Sequence, residues 1–275
     1  MFCFQLPRPL VTEVVRFRFL SALIVPFVFS LVLFGCAEST NPNNGGDPVG
    51  SMVDSPFPWE KISGNPQGII YATAQTAGTG DPLFMSGAQI FTSSSMTPPV
   101  VEAGTATASG LAMTFASGEG YISVDAPVFG STTSWGLTGN AGTGILGFSE
   151  NMYMPTIIHL TSPVAATTDL SKSAGVTVQW NADPNNSDVI LGFKYDASTS
   201  QFVDPNLPQM EYSWYVVAPD NGSYTIPAFA FSSLPVGGYV DLVVTRGNGR
   251  MSGPSSQDIY IYGYTVSSGL FKIAS

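Results

Sequence analysis

Cysteine and histidine are nearly absent from this chain of 275 residues. The two cysteines are Cys3 and Cys36, so everything after residue 36 lacks disulfides and thiolate metal ligands. His159 is the only histidine. Without a second histidine or a usable cysteine, the usual transition-metal sites are excluded. The stability of the body must therefore come from hydrophobic cores.

Charged residues are also scarce, at 10% of the chain, and acidic residues outnumber basic ones by 19 to 9. The net charge of −10 argues against nucleic-acid binding, which requires a basic face. Serine, threonine, glycine, asparagine and alanine are common instead. This composition is typical of exported β-proteins, whose surfaces are polar but uncharged.

An uncharged apolar run extends from Phe19 to Phe34 and follows three arginines, Arg8, Arg16 and Arg18. It is shorter than the roughly 20 residues that a transmembrane helix needs. A basic start followed by a short apolar run is typical of a secretory signal. The sequence therefore predicts a signal peptide over residues 1–35.

The run ends in Leu33-Phe34-Gly35-Cys36, which resembles the lipobox of bacterial lipoproteins. Phe34 is bulkier than the residue usual at its position. The resemblance implies that Cys36 becomes the lipidated N-terminus of the mature protein, held on a membrane by two or three acyl chains. Ala37, rather than Asp, follows the cysteine and favours the outer membrane, with the periplasmic or cell-surface face left open. The alternative is a plain signal peptide or an uncleaved anchor.

The lipobox resemblance makes Cys36 the start of residues 36–56, which are polar and rich in glycine, proline and asparagine. This composition predicts a flexible tether behind the lipidated N-terminus that the resemblance implies. From Pro56 onward, short apolar or alternating runs are separated by turn signals every eight to twelve residues. This spacing favours an all-β protein without amphipathic helices. We expect two β-sandwich domains, over residues 57–155 and 156–275, with a boundary at Met154-Pro155 because Pro155 interrupts strand pairing.

The second half has the clearer strand pattern. Val176, Val178 and Trp180 alternate onto one face, and Asn221-Gly222 predicts a β-hairpin turn. The order of strands in 156–275 resembles an immunoglobulin-like or fibronectin-type sandwich. In such folds a tryptophan that ends a strand, here Trp180, packs between the two sheets. The disulfide of antibody domains is missing, so the resemblance concerns architecture only.

Motifs for catalysis are weak. Gly142-Thr-Gly-Ile-Leu-Gly147 matches a dinucleotide-binding pattern, but the segment that follows cannot supply the helix on which the pyrophosphate would sit. His159 lies in an apolar strand and is more typical of packing than of a catalytic triad. The acidic residues are scattered through turns, so no pair is nominated for glycoside hydrolysis. We predict neither an enzyme nor a cofactor.

Two groups remain as candidate binding residues. The oxygen ligands of Asp183, Asn185 and Asp188 are a weak candidate for Ca²⁺, although Asp and Asn are also common turn residues. The aromatic residues Tyr212, Trp214 and Trp135 are candidates for a sugar-stacking platform. Core packing is the competing explanation for these rings.

The sequence thus predicts a membrane-anchored lipoprotein with a non-catalytic binding, adhesion or structural role. Its partners are the membrane, through the lipid at Cys36, and a glycan or another surface protein. A carbohydrate-binding surface protein is the first alternative, and a hydrolase that uses only carboxylates and hydroxyls is the second.

Overall fold

A computed structural model describes residues 66–93, 99–117, 120–165, 167–254 and 257–275. Within these ranges the regular structure is almost entirely β, so the all-β prediction is confirmed. The strands are β1 (Gly68–Ala77), β2 (Leu83–Ile90), β3 (Ala106–Ala108), β4 (Leu111–Met113), β5 (Tyr121–Ser123), β6 (Ser131–Leu137), β7 (Phe148–Met154), β8 (Leu160–Ser162), β9 (Leu170–Ser171), β10 (Val176–Trp180), β11 (Asp188–Tyr195), β12 (Ser213–Pro219), β13 (Ser223–Ile226), β14 (Tyr239–Ser252) and β15 (Ile259–Ala274). The helix is α1 (Ala197–Val203), and a 3-10 turn covers Ala228–Phe231.

These strands form three sheets. The large sheet has the order β12-β11-β14-β15-β1-β2-β5, and β9 also pairs with β15. A three-stranded sheet has the order β13-β10-β8, and a four-stranded sheet has the order β4-β3-β6-β7. β1 runs parallel to β15, from Gly68↔Ile259 to Ala77↔Ser268. The large sheet therefore joins strands from both sides of the boundary predicted at Pro155.

One face of the large sheet, which we call the inner face, carries two hydrophobic clusters. Side chains alternate along a strand, and the register places Leu242 and Ile70 on this same face. Leu242 packs with Trp180 of the three-stranded sheet. Ile70 packs with Trp135 of the four-stranded sheet. Each smaller sheet thus covers its own part of the inner face, and Trp180 lies in the core beneath the three-stranded sheet.

The Asn221-Gly222 turn does not close a hairpin, so that prediction is wrong. β12 pairs with β11 in the large sheet, whereas β13 pairs with β10 in the three-stranded sheet. Gly222 has a φ of 89°, which glycine adopts without strain. The local turn signal is real, but here the turn passes the chain from one sheet to another.

The helix α1 is a feature that the sequence analysis missed. Asp196 caps its first turn, because its carboxylate accepts hydrogen bonds from the Thr199 backbone N–H at 2.9 Å and from the Thr199 hydroxyl at 2.6 Å. The helix is short and has no long apolar stripe, so periodicity could not reveal it. The cap and the contact of Ser200 with β14 hold it in place.

Candidate functional site

The proposed lipidation residue, Cys36, and the tether over residues 36–56 lie outside the described residues. The remaining candidates, from Trp135 to Trp214, all lie within them.

Trp135 belongs to the core between the large and the four-stranded sheets, and none of its surface is exposed. Its ring nitrogen donates a hydrogen bond to the Thr133 hydroxyl at 3.1 Å. This arrangement corrects the expectation that Trp135 contributes to a ligand platform, because its faces are covered by core side chains. Alternation on β6 turns Trp135 inward, which the sequence pattern alone left undecided.

Tyr212 and Trp214 pack against the other core from the end of the large sheet. Both are partly buried, and their rings lie 6.0 Å and 6.1 Å from the Phe193 ring. The Tyr212 hydroxyl donates to the Ala230 carbonyl at 2.8 Å. The structure therefore brings Tyr212 and Trp214 together on the inner face but places Trp135 in a different core.

The Asp183 carboxylate is fully engaged within the protein. It accepts hydrogen bonds from the Tyr153 hydroxyl, the Thr156 N–H at 2.7 Å and the Asn185 N–H at 3.0 Å. Burial by itself would raise the pKa of Asp183, but these donors and the nearby Arg246 outweigh burial and lower the pKa. Its oxygens are thus occupied by structural contacts.

The other members of the calcium candidate do not converge with Asp183. Asn185 contributes its backbone N–H to Asp183, and the exposed Asp188 accepts a hydrogen bond from the Ser187 hydroxyl at 2.7 Å. Across the described ranges, no group of three His, Cys, Asp or Glu residues is arranged to hold a metal ion.

A buried polar junction lies next to Asp183 and was not found from the sequence. Arg246 of β14 and Asp220 form an ion pair at 2.7 Å, and neither side chain has any exposed surface. Asp220 also accepts from the Trp180 ring nitrogen at 2.8 Å, and Arg246 donates to the Asn181 carbonyl at 2.9 Å. Nothing in the local sequence marks this pair, because its members are 26 residues apart.

His159 has no catalytic partner in the part of the chain that the structure describes. Its backbone N–H donates to the Asn181 side chain at 2.6 Å, and its Nδ1 atom is buried without a hydrogen-bond partner. A catalytic histidine normally has one ring nitrogen oriented by a carboxylate or carbonyl. The Gly142–Gly147 motif likewise forms a turn, with a bridge between Asn140 and Ile145, and no helix follows it.

A cavity of about 400 Å³ opens where β11 and β14 separate. Its lining includes Asn186 and Ser187 from the loop before β11, Gly247 and Gly249 from β14, and Tyr260 from β15. Thr245 also lines it, and the buried Thr245 hydroxyl has no hydrogen-bond partner. A concave site with a few converging polar groups is the usual form of a ligand pocket. No candidate residue from the sequence analysis lies in this cavity except Asp188.

Among the described residues, no helix has the length and apolarity to cross a bilayer. No family model, curated protein or solved structure matches this chain.

Proposed function

We propose that this chain is an exported lipoprotein, anchored to the outer membrane through a lipid on Cys36, with a non-catalytic binding role. The observation that carries the proposal is the Leu33-Phe34-Gly35-Cys36 sequence at the end of an apolar run. Cys36 has no competing role in a disulfide, since the only other cysteine is Cys3 within the signal. The polar tether that follows would let a folded β body stand away from the bilayer.

A binding role has more support than a catalytic one. The buried carboxylates of Asp183 and Asp220 already accept several hydrogen bonds each, and Asp220 also pairs with Arg246. Groups held in this way stabilise the fold and are not placed to transfer protons to a substrate. The carbohydrate alternative is also weaker, because its proposed rings belong to two different cores.

Detergent partitioning of membranes that contain the protein tests the anchor. The wild-type protein is expected in the detergent phase, because each buried CH₂ of the acyl chains contributes about 0.8 kcal/mol to membrane binding. Cys36→Ala should move the protein to the aqueous phase or block its processing. Cys3→Ala is the matched control, since it removes the other cysteine and should change nothing. Membrane retention of a processed Cys36→Ala protein would overturn the proposal.

A further inference from the structure

β14 extends well beyond its neighbour β11. The two strands pair from Tyr195↔Val240 to Ile190↔Thr245 and then separate. On its other side, β14 stays paired with β15 as far as Ser252↔Ile259. Residues 246–252 of β14 therefore pair with a strand on one side and, among the described residues, with no strand on the other. We call that second side the open edge.

The register identifies which backbone groups point to the open edge. The Tyr239 carbonyl accepts from the Asp196 N–H at 2.9 Å, and the Tyr239 N–H donates to Ser200 at 2.8 Å, so Tyr239 faces β11 and α1. The Gly238 carbonyl bonds instead to the Ile273 N–H on the β15 side. Backbone groups alternate sides along a strand. Because β14 runs without a register shift, Gly247, Gly249 and Met251 present their N–H and C=O groups to the open edge.

The open edge borders the cavity of about 400 Å³. Gly247 and Gly249 carry no side chains that would shield their backbone groups. On the opposite side of the cavity, the Asn186 side chain donates to the Asp188 carbonyl at 2.6 Å. This contact engages the Asp188 carbonyl at the start of β11, where β11 no longer pairs with β14.

We propose that the open edge binds an extended peptide segment, which adds to the large sheet as a strand beside β14. Unpaired N–H and C=O groups at strand spacing fit a polypeptide backbone better than any other ligand. A sugar would need an exposed ring for stacking, but Tyr260 on the cavity wall is only 4% exposed.

The cavity walls also indicate the chemistry of the peptide. Ile190, Val217 and Met251 line it, so we expect apolar side chains at alternate positions of the bound segment. The unpartnered hydroxyl of the buried Thr245 offers one further hydrogen bond in the cavity lining. Both arginines of the lining are already paired, Arg246 with Asp220 and Arg250 with Glu150. The exposed Asp188 carboxylate is the remaining charge of the lining, and it favours a peptide without acidic residues.

The experiment uses the full mature protein in detergent and a labelled nonapeptide of alternating threonine and valine with a lysine at each end. Fluorescence anisotropy measures binding, and hydrogen exchange with mass spectrometry locates it. We expect the peptide to slow exchange in residues 246–252. Two further peptides carry N-methyl groups on alternate residues, in one register or the other. Each pattern removes the N–H groups on one edge of the peptide strand. Only one edge of an added strand faces β14, so the peptide methylated on the other edge should bind like the parent and its counterpart should not.

Met251→Pro supplies the protein-side test, because it removes an N–H at the open edge. The affinity for the nonapeptide should fall by about tenfold or more. Met251→Ala is the matched control. It keeps the backbone N–H, so its affinity for the nonapeptide should fall less than that of Met251→Pro. Should Met251→Pro fail to fold, the N-methylated peptides decide the matter on the unmodified protein.

Several outcomes would overturn the proposal. The first is the absence of binding at millimolar peptide, and the second is protection from hydrogen exchange only outside residues 246–252. The third is equal binding of both N-methylated peptides. The fourth is binding of glycans from an array, rather than of the peptide, in the cavity. Self-association of the protein through the same edge would also overturn it, since the occupant would then be a second copy. This inference deepens the proposed binding role but is independent of the lipid anchor, so the partitioning result for Cys36→Ala stands or fails separately.

Discussion

At the scale of single residues, the fold is sensitive to the loss of either partner of the buried Arg246–Asp220 ion pair. Their ion pair at 2.7 Å is fully buried and is completed by hydrogen bonds from Trp180 to Asp220 and from Arg246 to backbone carbonyls. Such a pair adds little net stability compared with apolar side chains of the same volume, but removing one partner leaves an uncompensated charge in the interior.

Arg246→Met should therefore lower the free energy of unfolding by about 3–5 kcal/mol, as measured by urea unfolding. Arg250→Met on the same strand is the matched control. Its ion pair with Glu150 is partly exposed, with side-chain exposures of 46% and 34%, so the loss should be below about 1 kcal/mol. Equal losses in the two variants would contradict the structural role of the buried pair.

Asp241 on β14 gives the protein a predictable response to pH. Burial, together with the charge of Asp196, raises its pKa from 3.8 to about 7, although Lys194 opposes the rise. At a pH between 3.8 and about 7, Asp241 keeps its proton in the folded protein but has released it in the unfolded chain. The resulting stability is complete below about pH 4 and is lost as the pH rises through 7.

Asp241→Asn should remove this dependence. At pH 8 the variant should be more stable than the wild type, by at most about 4 kcal/mol, because one pKa unit corresponds to about 1.4 kcal/mol. At pH 4 the two proteins should unfold alike. Thermal unfolding across this range measures the effect, with Asp81→Asn at an exposed position as the control. The prediction fails if the stability of the wild type and that of Asp241→Asn change in the same way between pH 4 and pH 8. Asp241 would then not titrate in this range.

At the scale of elements, the chain entering β8 is held to the large sheet by side chains rather than by strand pairing. The Thr265 hydroxyl accepts from the Ile158 N–H at 3.0 Å, and the Ser267 hydroxyl accepts from the Leu160 N–H at 2.8 Å. Thr76 donates in turn to the Ile158 carbonyl at 3.0 Å. These contacts satisfy buried backbone groups that no neighbouring strand reaches.

Thr265→Val keeps the shape of the side chain but leaves the Ile158 N–H without an acceptor. The free energy of unfolding should fall by about 1–3 kcal/mol, and exchange at the Ile158 amide should accelerate. Thr177→Val on β10 is the control, since the Thr177 hydroxyl bonds to Thr225 at an exposed position and its loss should cost about 0.5 kcal/mol or less. If Thr265→Val lowers the free energy of unfolding no more than Thr177→Val does, the Thr265 side chain does not hold the chain before β8 to the large sheet.

At the scale of the whole molecule, local patterns predicted many strands but not how the strands are shared between sheets. The alternation of Val176, Val178 and Trp180 matches β10, because alternation and turn residues act over a few neighbouring positions. The parallel pairing of β1 with β15 joins residues about 190 positions apart, and no local signal encodes it. The Arg246–Asp220 pair and the open edge likewise depend on how distant strands pair, here β11 with β12 and with β14, which is why sequence reasoning missed both.

The anchored state is tested most directly by the intact mass of the protein extracted from membranes. The proposal predicts a chain that begins at Cys36 and is heavier than residues 36–275 by a lipid with two or three acyl chains. A mature protein of unmodified mass, or one whose N-terminus lies at any other residue, would contradict it.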